Sequence, residues 1–373
     1  MSTPSFMRPA GPVRSRLAFG EAFVAWLVAR VVVGIGYAAA DAIASVLELR
    51  DTLHLQQKLI TWDGTFYWAI ANGGYDSVAR EGLRFFPFYP GLAKILAWPL
   101  GGRVGLTLVL VSNAAAYVCL LLLRRLVEEE TGDVDLARRS MWLLAVFPAA
   151  GIFVLAYGES VALAASLVAF LFIRRDRWWW AAGFGAVAGL TRPVGVLLIV
   201  PFAIEAWLSR GRGGSVLSRL AAIASPVVGA LMYLFWVGGE YGDWLEPVRI
   251  QRELRAGFQD PFTRLWDGVH TFVTTSQLDA PNLVFALGFI ALLIVAIRTQ
   301  RVAWWAYAAV TLVVALSAVN IDSIGRYGLM AFPFVVALAR VSEDERVMWG
   351  VLTLCGTGLA ALTVMSTLGV YTP

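Results

Sequence analysis

The sequence predicts an all-α, polytopic membrane protein, a single membrane-embedded domain over residues 1–373. Three observations predict it. Of the 373 residues, 59% are hydrophobic and only 15% charged, with a mean hydropathy of +0.70, whereas about a quarter of a soluble domain is charged. Apolar stretches recur near the ~20 residues that a helix needs to cross a ~30 Å hydrocarbon core. Arginines gather in alternate connections between those stretches, the pattern that orients helices in a bilayer.

Taken in order, eleven transmembrane helices are expected, at 17–40, 104–123, 140–156, 159–173, 178–190, 193–208, 219–238, 280–297, 302–319, 327–340 and 346–368. Several are shorter than ~20 residues. The pairs around Glu159 and Arg192 therefore read either as short spans or as broken, re-entrant helices. With a cytoplasmic N-terminal tail over 1–16, the inside segments hold Arg8/Arg14/Arg16, Arg124/Arg125/Arg138/Arg139, Arg174/Arg175/Arg177, Arg210/Arg212/Arg219, Arg298/Arg301 and Arg340/Arg346. The outer turns near 157, 191 and 320 hold none, Arg192 and Arg326. Two long extracytoplasmic loops remain, 48–103 and 239–279, and loops of that length are usually functional. The polar first residues followed by a long apolar run read as a signal anchor, not a cleaved leader.

Composition also excludes function classes. The net charge is +4 and the pI about 9.2, but arginines that set topology explain both, so no nucleic-acid partner is expected. Lys58 and Lys94 are the only lysines, a coding bias that points to a GC-rich bacterial genome. Cys119 and Cys355 lie in apolar runs, with no disulfide or zinc spacing. With His54 and His270 the only histidines, no Ser-His-Asp set exists. No His/Asp/Glu group has ligand spacing, although acids dispersed over two loops could assemble one. Neither metal nor cofactor is expected.

The first outer loop contains TWDGTFYWAIANGGYD, residues 61–76. Trp62, Phe66, Ala69 and Ile70 share one helical face. Asp63 and Tyr67 are neighbours at i, i+4, and Asn72-Gly73-Gly74 is a stop. A short helix from Lys58 to Asn72 is expected on the outer membrane surface, holding Asp63 at headgroup level with a raised pKa. Residues 85–90, FFPFYP, suit a rigid aromatic turn leading into apolar 91–100. From these residues alone the segment is either an aromatic belt that anchors the loop or the wall of a site.

Trp62-Asp63, Trp68-Ala69-Ile70-Ala71, Gly74-Tyr75, Glu81 and Phe85-Phe86-Pro87-Phe88-Tyr89-Pro90 follow one another in an order that resembles the first luminal loop of GPI mannosyltransferase II and its bacterial relatives, the PIG-V-like family. FPAAGIFVLAYGES (147–160), GLTRPVG (189–195) and GRYGLMAFP (325–333) resemble later elements of that family. Gly158 stands where serine is usual and Pro193-Val194 where Ser-Asn is, which bears on acceptor specificity more than on reaction class. The resemblance implies a GT-C type glycosyltransferase that works without metal. It implies a polyprenyl- or dolichyl-phosphate mannose donor, use of that donor outside the cytoplasm, inversion at the sugar carbon, and catalysis by the acid of the first loop.

Such a transfer needs a base, for which Asp63 is expected, with Glu81 either assisting or pairing with Arg84 at i, i+3. The departing phosphate needs cations. Arg326 and Arg192 are expected there, although Arg326 could instead pair with Asp322 at i, i+4. Arg249, Arg252 and Arg255 face either this phosphate or lipid headgroups. Trp62, Tyr67, Phe86 and Tyr89 are expected to shape the sugar and lipid-entry surface. Glu159 either lines the sugar pocket or caps a helix. Gln251 is either a sugar ligand or a solvated amide, and Arg30, inside the first span, has either a structural partner or a donor-site role. The expected partners are a polyprenyl-phosphate sugar, a lipid-linked or glycan acceptor, and membrane lipids. The competing readings are a transporter or flippase and a non-catalytic subunit of a transferase complex.

Overall fold

The computed structural model describes residues 12–48, 57–211, 213–275 and 280–373, with the side chains of 12–16, 271–275 and 280 outside the description. Arg8 of the expected tail, His54 and Arg212 lie outside it too, as do the side chains of Arg14 and Arg16. The described residues are predominantly helical, with no strand among them. In chain order the α-helices are α1 (Pro12–Val46), α2 (Asp63–Gly73), α3 (Phe88–Ala97), α4 (Val104–Thr131), α5 (Val134–Val146), α6 (Glu159–Arg174), α7 (Trp178–Thr191), α8 (Ile199–Leu208) and α9 (Val216–Tyr241), followed by α10 (Glu246–Leu254), α11 (Pro261–Thr275), α12 (Ala280–Thr299), α13 (Val302–Leu316), α14 (Ile324–Met330), α15 (Pro333–Val341) and α16 (Glu345–Thr367).

The protein is a multi-pass membrane protein, and helix length and composition alone mark five or six of the eleven expected spans among the described residues. Five helices, α1, α4, α9, α12 and α16, are long and apolar enough to cross a bilayer. A sixth span exists if α14 and α15, bent by 87° at their junction, count as one. The other expected spans are short. At 1.5 Å per residue, a helix of 13–16 residues reaches only about 20–24 Å. The short helices stop where the chain breaks: α5 ends before the 3₁₀ segment Pro148–Phe153, and α7 ends before the 3₁₀ segment Pro193–Leu198.

Small residues bring the helix backbones together, as packing in lipid favours. A Cβ on Gly189 of α7 would lie 1.9 Å from the Pro226 carbonyl oxygen of α9, and one on Gly229 of α9 would lie 2.1 Å from the Ala186 carbonyl oxygen. This close seam fixes the C-terminus of α7, where Arg192 follows. The other end of the molecule is tied by ion pairs among α4, α6, α8 and the residue before α13: Arg174–Glu130 at 3.0 Å, Arg175–Glu129 at 2.7 Å, Arg301–Glu130 at 3.0 Å and Arg301–Glu205 at 3.1 Å. Within α1, Arg30 has structural partners: it donates to Asn113 Oδ1 at 2.9 Å and to the carbonyls of Trp26 and Phe153.

Candidate functional site

The first loop starts its helix later than the sequence pattern suggests. Trp62 has a left-handed φ of 53°, so the chain turns sharply and α2 begins at Asp63 instead of near Lys58. The helix ends as expected: Gly74, at φ 80°, donates its N–H to the Ile70 carbonyl. An acid at a helix N-terminus is favoured by the helix dipole. The 59–64 segment lies against residues 156–158, because the Ala156 N–H donates to the Leu59 carbonyl at 2.9 Å and Gly64 allows close approach to Ala156. The Asp63 N–H also donates to Tyr157 Oη at 3.3 Å. This packing brings Asp63 beside Glu159, the first residue of α6.

Two further elements bring arginines to these acids. Ser323, with φ 66°, turns the chain into α14 and places Arg326 one turn in. Left-handed non-glycine residues cost of order 1–3 kcal/mol and cluster at functional sites; here one precedes each partner of the central ion pair. The 3₁₀ turn Arg80–Arg84 is held from both sides. Tyr233 Oη donates to the Leu83 carbonyl at 2.8 Å, and Tyr75 Oη donates to the Phe85 carbonyl at 2.6 Å.

The result is a buried cluster of three guanidiniums and two carboxylates. Arg326 Nη1 donates to Asp63 Oδ2 at 2.6 Å and to Glu159 Oε1 at 3.4 Å. Arg84 Nη2 donates to Asp63 Oδ1 at 3.3 Å. Arg192 Nη1 lies 2.5 Å from Glu159 Oε1 and 3.5 Å from Tyr67 Oη. Asp63 is 8% exposed, Arg326 7%, Arg192 9% and Glu159 0%, so these charges interact in a medium far less screening than water. Among the described residues, Arg84 Nε, Arg326 Nε and Glu159 Oε2 are buried with no hydrogen-bond partner.

Asp63 and the three arginines form the floor of a cavity of about 540 Å³. Asp63, Tyr67, Arg84 and Phe86 line it from the first loop, Arg192 and Val194 from the break after α7, Gln251, Arg252 and Arg255 from the second loop, and Arg326 and Tyr327 from α14. The remaining wall is largely apolar, with Leu197, Leu234, Val314 and Ala318 on it. A charged floor under a greasy wall suits an amphipathic ligand with an anionic head.

Burial by itself would raise the Asp63 carboxyl, as expected from the sequence. The guanidiniums of Arg326, Arg84 and Arg192 outweigh it and hold the carboxyl below its ordinary value of 3.8. This corrects the expectation of a raised pKa: burial does raise it, but three nearby arginines lower it further.

No family model and no curated protein matches this sequence. The resemblance to GPI mannosyltransferase II rests on the motifs alone. Solved structures of the Archaeoglobus fulgidus oligosaccharyltransferase align with most of this chain. The form tethered to an acceptor peptide aligns with a TM-score of 0.46 and 12% identity over 90% of this chain and 56% of that one. The apo form aligns at 0.46 and 11% identity over 89% and 56%. The chain thus spans little more than half the length of those proteins.

Of the residues singled out in the sequence, Asp63, Tyr67, Phe86, Arg192, Gln251 and Arg326 meet at the cavity. Glu159 lies behind the floor as the shared partner of two arginines. Tyr89 is also behind it, fully buried, with its hydroxyl donating to the Leu108 carbonyl at 2.8 Å and its ring edge-on to Tyr67. Trp62 points away, its Nε1 donating to the Ser366 carbonyl at 3.1 Å. Glu81 is exposed on the 3₁₀ turn outside the cavity, and Arg84 turns to Asp63 instead of to it. Asp322 accepts from Asn320 and Asn282, leaving Arg326 to Asp63. Sequence reasoning missed Arg84 and Tyr157 as partners of Asp63; nothing local to either marks a contact 21 or 94 residues away.

Proposed function

We propose that this protein is a GT-C type glycosyltransferase that moves a hexose, mannose by resemblance, from a polyprenyl phosphate to a lipid-linked or glycan acceptor. The reaction takes place on the extracytoplasmic side of the cytoplasmic membrane. One observation carries the reading: a buried carboxylate, Asp63, faces an apolar-walled cavity from within a cluster where arginines outnumber acids. The motif order of the first loop supports the same assignment.

In this mechanism the acceptor hydroxyl attacks the anomeric carbon from the face opposite the phosphate. Asp63 takes the hydroxyl proton. The bond between that carbon and the phosphate oxygen breaks, and the phosphate leaves with the electron pair. Arg326 and Arg192 hold the departing oxygens, since guanidinium matches phosphate with paired hydrogen bonds. Tyr67, Phe86 and Gln251 border the sugar, and Glu159 keeps both arginines in place. At rest Asp63 is a weak base because Arg326 sits 2.6 Å away. A donor phosphate adds a negative charge beside it and draws on the same guanidinium, and both effects raise the carboxyl's proton affinity. The base therefore gains strength when the donor is present.

The test is transfer from radiolabelled polyprenyl-phosphate mannose into membrane extract lipids. Asp63→Asn should lower the rate by about 10²–10⁴-fold, the range for loss of a general base, at unchanged protein level. Product at the wild-type rate would remove Asp63 from the mechanism.

A further inference from the structure

Five guanidiniums border the cavity, and among the lining residues only one carboxylate does. Three of the five, Arg84, Arg192 and Arg326, are set against Asp63 and Glu159. This leaves the inner cluster one positive charge in excess, enough for one phosphodiester. Arg252 and Arg255 are different. They belong to the second loop, on α10 and at its C-cap. The other charges of that segment neutralise one another: Arg249 pairs with Asp243 at 2.8 Å and with Glu246 at 3.3 Å, while Arg80 pairs with Glu246 at 2.5 Å and with Glu253 at 2.7 Å. Among the described residues no carboxylate lies within ion-pair distance of Arg252 or Arg255.

Arg255 is also held in place. Its Nη1 donates to the Asn320 carbonyl at 3.4 Å, its own carbonyl accepts from the Asn320 N–H at 3.3 Å, and its guanidinium lies 4.9 Å from the centre of the Tyr327 ring. The next residue, Ala256, is left-handed at φ 55° and turns the chain away. Leu254, Phe258, Phe262 and Trp266 of the same segment are exposed, as in a strap whose apolar side rests in the lipid boundary. The pair thus sits at the cavity wall, with a fixed guanidinium on Arg255 and, among the described residues, no counter-charge.

We propose that Arg252 and Arg255 form a second anion subsite that takes a phosphate ester, so that the cavity holds two phosphate groups at once. The inner subsite is the one assigned to the donor above, and the inference rests on that reading for its occupant. The second phosphate belongs either to the acceptor or other lipid headgroup, or to a second polyprenyl phosphate. Its test does not use glycosyl transfer, so the two proposals fail separately.

Equilibrium binding of radiolabelled farnesyl phosphate to the full-length protein in an uncharged detergent measures the stoichiometry. Two equivalents are expected for the wild type, one for R252Q/R255Q, and two again for R252K/R255K, which keeps the charge if the glutamine pair disturbs folding. In phosphatidylcholine nanodiscs, loss of the second equivalent on adding phosphatidylglycerol assigns the subsite to a headgroup or acceptor phosphate; retention assigns it to a prenyl phosphate. A single equivalent in the wild type would overturn the proposal. So would two equivalents in R252Q/R255Q, or loss of both equivalents together at an unchanged melting temperature.

Discussion

The two ends of α6 present the same residue types in opposite ways. At its C-terminus, Arg174 and Arg175 meet Glu130 and Glu129, and Arg301 joins Glu130 to Glu205, with side chains from 9% to 43% exposed. Each cation there has an acid, and solvent softens what remains. About 22 Å away along the helix, Glu159 is fully buried between Arg192 and Arg326. There the cations outnumber the acids, and three polar atoms have no hydrogen-bond partner among the described residues. A buried polar atom left unsatisfied costs about 1–3 kcal/mol, so the second end is built at the expense of stability. The first arrangement ties helix ends together. The second makes sense if an anionic ligand completes it.

Removing one arginine from each end should therefore have unequal consequences. Arg326→Ala strips Asp63 of its nearest partner and is expected to destabilise the protein by about 3–5 kcal/mol, the cost of breaking a buried pair, and to abolish transfer. Arg301→Ala should cost about 1 kcal/mol and leave transfer intact. Equal losses in unfolding measurements would erase the distinction between the two ends. Next in size is the α7–α9 seam that positions Arg192: Gly189→Ala forces a methyl group against the Pro226 carbonyl, and overpacking of this kind costs about 1–3 kcal/mol. The strain that aims Arg326 can be isolated by comparing two variants of Ser323. Both lose the Ser323 Oγ donation to the Pro373 carbonyl, but only alanine keeps the left-handed penalty, so Ser323→Gly should be more stable than Ser323→Ala by about 1 kcal/mol.

The smallest effect is a pH dependence. The folded Asp63 carboxyl binds its proton less readily than the unfolded chain's does, so its contribution to stability is whole above about pH 4. That contribution fades as pH falls through the lower folded value. The stability gap between wild type and Asp63→Asn should be flat near neutrality and narrow only below about pH 4. A gap that narrowed between pH 5 and 7 would place the carboxyl above its ordinary range.

Much of this was legible in the chain. Hydropathy gave the helical membrane class, and the Asn72-Gly73-Gly74 stop lies where the helix ends. The isolated arginines at 192 and 326 do line the cavity. Span number was less legible, because a 14-residue apolar helix such as α7 reads equally as a short span or as half of a broken one. The Asp63 environment was not legible either. Local composition placed it at a partly desolvated interface with no cation beside it, while its real neighbours come from residues 84, 157 and 326. Glu81 and Trp62 share its motif and lie outside the cavity, since motif proximity along the chain does not decide which way a turn faces.

The coupling between phosphate and base is most directly tested by infrared titration of the Asp63 carboxyl, taken as the difference between wild type and Asp63→Asn, with and without farnesyl phosphate. A midpoint below the ordinary carboxylate value in the free protein, moving upward when the phosphate is added, is the expected result. A midpoint at or above that value in the free protein, or one unmoved by phosphate, would contradict the coupling.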